Sequence, residues 1–298
     1  MCKVGAPFYF YTVKRPNYLT DAALEQFIAL ALQEDVGDGD HSSLAAIPAT
    51  ARNQAQLLVK GAGILAGVEL AEKICHAVDP ELQVHVFIKD GTPVKFGDIA
   101  FSVTGKAQSI LTAERLLLNC MQRMSGIATY TRHLNRLIAG SKAQLLDTRK
   151  TTPNFRIVEK WAVLIGGGHN HRYGLFDMIM LKDNHVDYAG GIREAITAAK
   201  KYLEDHGRHL RIVVETRNLP EVAEALDTGG IDRIMLDNMS PELMQQAVAI
   251  IGGRFETEAS GGITEANIAA VAATGVNFIS VGALTHSNKS LDMSLKAF

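Results

Sequence analysis

The chain has 298 residues, 47% of them hydrophobic and 21% charged, the composition of a globular protein with a sizeable core in one large domain or two ordinary ones. Its 30 Lys and Arg against 32 Asp and Glu leave a formal net charge of −2. No global field therefore favours nucleic acid or a membrane surface, and any anion site must come from local clusters of cations. Residues 1–18 lack the apolar run of a signal peptide and are read as an arm lying on another surface. No stretch reaches the roughly 20 apolar residues of a membrane helix. Asp21 onward reads as a helix, capped by Thr20 or Asp21, with Leu24, Phe27, Ile28 and Leu32 at helical spacing. Between Ala55 and Thr104, short strand-like runs bounded by Gly, Pro and Asp surround one helix, "GVELAEKICHAV", which makes an α+β region. A long helical stretch over 109–140 follows. A break is expected in it near Ser125-Gly126, and Leu111, Leu116, Leu118, Met121 and Met124 are core candidates. Cys2, Cys75 and Cys120 have no motif spacing. They fit a reducing, cytoplasmic setting better than a disulfide framework, and Cys120 is a poor candidate nucleophile.

After Gly140 the rhythm becomes regular. Strand-like runs such as "FDMIMLKDN", "LRIVVETR" and "DRIMLDN" alternate with helix-like runs. Strands too apolar to have a wet face, separated by helices, imply a parallel sheet. About six repeats predict a short (β/α) barrel, with an open doubly wound sheet as the alternative. No GxGxxG follows the first strand, which weakens a dinucleotide reading.

Nearly every one of these strands ends in polar residues. The first ends in Asp147, Arg149 and Lys150, the next in Lys182-Asp183-Asn184. Glu215, Asp237-Asn238, Ser260-Gly261-Gly262 and Gly282 follow. In (β/α) barrels the carboxyl ends of the strands form one face, and the active site lies there. A solvated turn explains one or two such endings but not all of them. Gly261-Gly262, Gly282 and a helix expected to start near Thr264 predict a phosphate cradle. "GGGHNHRYG" (166–174) brings His169, His171 and Arg172. His-x-His can bind zinc, but no third ligand has a clear spacing, and neighbouring cations favour an anion pocket. Arg149, Lys150, Arg172 and Lys182 suit a multiply charged anion. Glu215 and Asp237 suit ribose hydroxyls or Mg²⁺ held through water. Phosphate, a divalent metal and a carboxylated partner are the ingredients of phosphoribosyl transfer.

The runs "DTRKTTP", "EKWAVLIGGGHNHRYGLFDMIMLKDNH", "IMLDNM", "EASGGI" and "ISVGALTHS" resemble the quinolinate phosphoribosyltransferase family, as do "EDVGDGD", "GILAG" and "AERLLLNCMQRMSGIAT" in the first third. The resemblance runs from about residue 34 to 292. It implies an α/β chain with an N-terminal α/β sandwich (1–114, joined by the tail 287–298) and a C-terminal incomplete (β/α) barrel (115–286). It implies transfer of phosphoribosyl from phosphoribosyl pyrophosphate to quinolinate with loss of CO₂, giving nicotinate mononucleotide and pyrophosphate for NAD synthesis, with Mg²⁺. It further implies a homodimer in which Arg115 of one subunit completes the other's site. Arg115, Arg149, His171, Arg172 and Lys182 are then expected on the dianion, Lys150 and Lys182 on phosphates, Glu215 and Asp237 on ribose or metal, and Ser260, Gly261, Gly262 and Gly282 on the 5′-phosphate. Of these, Lys150, Lys182, Glu215 and Asp237 are the expected catalytic residues. Two departures from the family are Thr216-Arg217 after Glu215 and Asn154 where glycine is common. The alternatives are a related transferase with another acceptor, such as nicotinate, and a non-catalytic anion sensor on the same barrel.

Overall fold

The computed structural model describes residues 15–298, so most of the expected arm lies outside the described residues. Thr20 caps the first helix, α1 (Asp21–Val36), its Oγ1 accepting from Ala23 N at 3.1 Å. Then come α2 (His41–Ala46), β1 (Arg52–Val59), β2 (Gly63–Ile64), α3 (Val68–Val78), β3 (Gln83–Val86), β4 (Pro93–Val94) and β5 (Ile99–Lys106). On β1, Ala55, Leu57 and Val59 are buried and the residues between them are partly exposed, so one face meets the core. The sheet is completed by the last strand of the chain. Its order is β12-β1-β5-β3, all antiparallel, with β12 (Met293–Ala297) paired along β1 from Ala55↔Ala297 to Val59↔Met293. The tail thus returns to the N-terminal sheet.

Helix α4 (Ala107–Leu137) carries the chain from this sheet to the barrel, and position 115 falls inside it. It packs on both α3 and α5 (Arg156–Ile165). The expected break at Ser125-Gly126 does not occur. Ser125 Oγ accepts from Ala66 N at 2.8 Å and donates to Ala66 O at 3.1 Å. Gly126 is where another segment crosses, since a Cβ there would lie 2.3 Å from Lys289 O. The two small residues serve close approach, not chain breaking.

The second sheet is parallel throughout, from β6 (Gln144–Leu146), β7 (Ile179–Leu181), β8 (Ile212–Thr216), β9 (Arg233–Asp237), β10 (Glu256–Ser260) and β11 (Phe278–Ser280). Helices α6 (Asp183–Ala189), α7 (Ile192–Asp205), α8 (Leu219–Thr228), α9 (Pro241–Ile251), α10 (Ile268–Ala273) and α11 (Ala283–His286) follow its strands. Its order is β6-β11-β10-β9-β8-β7. Strands β7 to β11 lie side by side in chain order, and the first strand, β6, pairs with the last, β11. An open doubly wound sheet reverses its order partway; this one curls round on itself. Between β6 and β7 the seam is not a full ladder. Residue 169 lies along β6 there, with His169 N donating to Leu145 O at 2.8 Å and Asp147 N to His169 O at 3.1 Å. The barrel is therefore incomplete. Among the described residues, no helix is long and apolar enough to cross a membrane.

Candidate active site

Parallel register brings the carboxyl ends of all six strands to one mouth. Three ends meet around Glu215. Asp183 N donates to Glu215 Oε1 at 3.3 Å, and Lys182 Nζ, on a half-exposed side chain, stands 3.9 Å from Oε2. Glu215 itself is only 8% exposed. Burial, and then the negative charge of Asp237 on the next strand, raise its carboxyl above the usual range.

The next ends form a glycine turn. Asp237 is in register with Ser260, and Asn238 N donates to Ser260 O at 2.9 Å. Gly261 and Gly262 follow with φ of +82° and +61°. A Cβ at Gly261 would lie 2.3 Å from Asn238 Oδ1, and one at Gly262 would meet nothing within 4 Å. Only glycine fits the first position, and the second leaves room for an anion against the backbone. The regular turns of α10 run from Ile268, and a helical turn leads into them from Thr264 as expected, Ile268 N donating to Thr264 O at 3.0 Å. Thr264 N is capped by Asn267 Oδ1, three residues on, at 2.8 Å, and Asn267 Nδ2 donates to Gly262 O at 2.9 Å. The cradle is thus a glycine turn leading into a capped helical turn at Thr264, with Gly282 at the start of α11 on its other side. Gly282 closes its other side. A Cβ there would lie 3.0 Å from His286 Nε2 and 3.1 Å from Lys150 Cδ, and Thr285 Oγ1 donates to Lys150 O at 2.8 Å. The structure therefore brings Lys150 to Gly282 and adds His286, which stands in the quoted "ALTHS" run without having been singled out.

Asp147, the acid of "DTRKTTP", is not part of the mouth. It is fully buried, ion-paired to Lys160 Nζ, and accepts from His171 N at 2.8 Å and Asn170 Nδ2 at 2.6 Å. Burial raises the Asp147 carboxyl and lowers the Lys160 ammonium, so each charge is tolerated only because the other is beside it. The buried Glu159 anchors the same loop, accepting from Thr152 N and Oγ1, both at 3.0 Å, and from Arg123 Nη2 at 2.9 Å.

His171 also lies beneath the mouth. Its Nε2 is 3.2 Å from Glu258 Oε2, and its Nδ1 accepts from Arg172 N at 2.7 Å. With Nδ1 accepting, Nε2 carries the proton, and both nitrogens are engaged within the chain. In this geometry the ring, expected on the dianion, braces the backbone of Arg172. Glu258 is in turn held by Arg233 Nη1 at 2.7 Å, and the Arg233 guanidinium lies 3.9 Å from the Phe278 ring centre. Burial would push the Glu258 carboxyl up, but His171 and Arg233 outweigh it and hold it below the usual range. Neither Glu258 nor Arg233 was singled out from sequence. Arg233 opens the strand RIMLD and Glu258 lies in the mostly polar strand ETEAS, so neither stands out locally.

Arg172 is buried and donates from Nη1 to Met178 O at 3.1 Å. Burial first, and then the charge of Arg149, lower its pKa, so the two guanidiniums stand against each other. Buried Nε of Arg149 has no partner. Among the described residues, neither arginine has a carboxylate within ion-pair distance. Asp177 partly opposes the effect of Arg149 on Arg172 without pairing with it. Arg217 is different, because it pairs with Asp187 at 3.0 Å and Glu221 at 2.9 Å on the surface. Arg115 is exposed on α4 and makes no hydrogen bond with any residue of its own barrel mouth among the described residues. Burial pushes the Cys75 and Cys120 thiols up to about 12.

Comparison with known proteins decides the family. The chain matches the model of the quinolinate phosphoribosyl transferase N-terminal domain over residues 40–125 and that of the C-terminal domain over residues 127–296. The chain belongs to the quinolinate phosphoribosyltransferase family. It is 49% identical to quinolinate phosphoribosyltransferase (decarboxylating) 1 of Nicotiana glauca, over 95% of this chain and 85% of that one. It is 41% identical to the probable nicotinate-nucleotide pyrophosphorylase (carboxylating) of Bacillus subtilis, over 88% and 89% of the two chains. The solved structure of the nicotinate-nucleotide pyrophosphorylase from Francisella tularensis superposes with a TM-score of 0.86 at 39% identity, covering 96% of this chain and 98% of that one. The quinolinate phosphoribosyltransferase fold thus covers both the sheet domain and the incomplete barrel.

Proposed function

We propose that this chain transfers phosphoribosyl from phosphoribosyl pyrophosphate to quinolinate and releases pyrophosphate and CO₂, yielding nicotinate mononucleotide for NAD synthesis. The observation that supports the choice of acceptor is the Arg149–Arg172 pair: Arg149 lowers the Arg172 pKa, neither forms an ion pair among the described residues, only the charge of Asp177 opposes, and the buried Nε of Arg149 is unpartnered. A dicarboxylate relieves that repulsion with two bidentate contacts, whereas a monocarboxylate leaves one arginine unmatched. Loss of a carboxylate as CO₂ leaves an electron pair on the ring. The neighbouring nitrogen, made cationic by ribosylation, stabilises that pair electrostatically until the carbon takes a proton from water in place of the lost CO₂. The chain supplies orientation and charge complementarity, with no need for a covalent nucleophile.

Lys150 and the turn of Ser260, Gly261, Gly262 and Gly282 hold the 5′-phosphate, with His286 beside them. Lys182 faces the departing pyrophosphate, and Glu215 with Asp237 orients the ribose hydroxyls. The same carboxylates suit Mg²⁺. Their repulsion, seen in the raised Glu215 carboxyl, is what a cation relieves. Among the described residues no group of three His, Cys, Asp or Glu forms a metal cage. The ion would therefore share its coordination with substrate oxygens and water, which is how Mg²⁺ is usually held. Bound there, Mg²⁺ neutralises charge on the leaving pyrophosphate.

A homodimer completes the site. Arg115 sits one helical turn from exposed Leu111 (43% exposed) on α4, and Leu175 (70%) and Phe176 (69%) are exposed on the loop beside Arg172. Apolar surface at both places suits mutual cover by a second copy, which would bring Arg115 to the partner's mouth. The cysteine usage, with two buried thiols, suits a reducing, cytoplasmic setting.

The test is release of CO₂ and pyrophosphate from quinolinate and phosphoribosyl pyrophosphate with Mg²⁺, with nicotinate in parallel. Stoichiometric release with quinolinate alone is expected. Turnover of nicotinate instead would overturn the dicarboxylate pocket, and tight quinolinate binding without turnover would leave an anion sensor.

A further inference from the structure

Tyr18 lies on the short lead into α1. The lead is a fixed piece of chain: Leu19 N donates to Pro16 O at 2.9 Å, Leu19 is buried, and Thr20 caps the helix that follows. From it the Tyr18 side chain crosses to the barrel loop. Its hydroxyl donates to Asn170 Oδ1 at 2.7 Å, and its ring stacks on Tyr173, 4.4 Å between centres and 19° between planes. Asn170 and Tyr173 are the immediate neighbours of His171-Arg172 on either side. One side chain from the first domain therefore grips both flanks of the pair that carries the buried arginine.

Each grip continues into the loop's own supports. Asn170 Nδ2 donates to Asp147 Oδ2 at 2.6 Å and to Lys160 O at 2.9 Å, so its amide is in use at both ends. Asp147 also accepts from His171 N at 2.8 Å, and Lys160 Nζ donates to His171 O at 3.1 Å. Tyr173 is held on its other side by Arg156, whose Nη1 donates to Tyr173 O at 3.1 Å and whose Nε donates to Thr151 Oγ1 at 2.9 Å. The two anion-binding loops, 147–153 and 166–174, are thereby tied together through groups that Tyr18 closes. Burial, then the nearby charge of Asp147, raises the Tyr18 phenol, which keeps it a hydrogen-bond donor.

We propose that Tyr18 is a positioning residue, which sets the Arg172 loop for the dicarboxylate by bridging Asn170 and Tyr173 from the N-terminal domain. This rests on the quinolinate reading of the Arg149–Arg172 pair. Tyr18 touches no reacting atom, and its direct contacts, Asn170 and Tyr173, flank Arg172, so its larger effect falls on the dicarboxylate. Phosphoribosyl pyrophosphate is held by the glycine turn and Lys150, which Tyr18 does not contact.

Two variants and two readouts test it. Tyr18→Phe keeps the stack and orphans Asn170 Oδ1; Tyr18→Ala removes both grips. The KM for quinolinate is expected to rise roughly tenfold in Tyr18→Phe, by the usual worth of one lost buried hydrogen bond, and further in Tyr18→Ala. The KM for phosphoribosyl pyrophosphate stays within about twofold in Tyr18→Phe. Hydrogen exchange, which needs no turnover, is expected to speed up at the amides of residues 169–173 in both variants. A fall in melting temperature with both KM values unchanged would reduce Tyr18 to a packing residue and overturn the proposal, as would unchanged exchange over 169–173. If the wild-type protein fails to turn over quinolinate, the functional reading falls, and exchange alone then decides whether the loop is clamped.

Discussion

Glu215 and Asp237 stand on neighbouring strands, and burial together with Asp237 raises the Glu215 carboxyl. The sign of the consequence is definite. A carboxyl with a higher pKa in the folded state than in the unfolded one binds its proton more tightly when folded, so its ionised form lowers stability above that raised value. Glu215→Gln should therefore melt at a higher temperature than wild type at neutral pH. The gain should vanish below the ordinary carboxylate range, where Glu215 is protonated in both states. Turnover should fall by about a hundredfold, the scale of losing one preorganised polar group at a reacting centre. A neutral-pH melting temperature equal to or below that of wild type would show that Glu215 is not held against its charge. Glu258 has the opposite sign. His171 and Arg233 hold its carboxyl down, so its stabilisation is present above about pH 4.3 and is lost as pH falls through the depressed folded value. Glu258→Gln leaves Arg233 with Glu256 as its one carboxylate partner, Nη2 to Oε2 at 2.9 Å, and should cost about 1–2 kcal/mol in urea unfolding at neutral pH, with the gap from wild type closing in acid. Equal stability at neutral pH would argue against the relay beneath His171.

Helix α4 shows what local sequence can and cannot say about an element. In an exposed helix, Gly→Ala gains about 1 kcal/mol. At Gly126 the added Cβ would lie 2.3 Å from Lys289 O and 3.0 Å from Ser290 Cα. Gly126→Ala should therefore destabilise by about 1–3 kcal/mol despite its better helix propensity, as read by chemical denaturation; a stabilised variant would show that the crossing tail yields. Sequence alone marked Ser125-Gly126 as a break because the chain that crosses there is far away in sequence. The strand endings were legible, since polar residues after apolar runs are a local pattern, and so was the alternation that orders the barrel. The helical turn at Thr264 was legible from the threonine that follows the glycine pair, but its cap through the Asn267 side chain was not. The roles of Asp147, Lys160 and Glu159 were hidden for another reason. A buried pair reads in sequence like any exposed charge, and only α5, whose residues Ile157 to Val163 are all buried, shows that Glu159 and Lys160 have no solvent to face. His171 was legible as a special residue, but its inward direction depended on Glu258 from a distant strand.

At the scale of the whole molecule, the barrel mouth holds paired arginines, and the N-terminal domain carries an exposed arginine for which its own mouth has no use. The two fit if each subunit lends Arg115 to the other. An isologous dimer makes that exchange symmetric, with one patch meeting the same patch on its partner. Arg115→Ala and Lys182→Ala should each abolish turnover in a pure homodimer. When the two are unfolded, mixed in equal amounts and refolded, random pairing makes half the dimers mixed. Within each mixed dimer, the barrel of the Arg115→Ala subunit keeps Lys182 and receives Arg115 from its partner, while the other barrel lacks both. About one quarter of wild-type activity should return. Mixing without refolding controls for exchange, and a tagged subunit confirms that mixed dimers form. Activity that stays at zero with mixed dimers present would place Arg115 in its own chain's site or outside the chemistry altogether. Recovery well above a quarter would require that a site lacking one of the two cations still turns over. The quarter follows from geometry alone, and it separates a shared site from a dimer that merely stabilises its subunits.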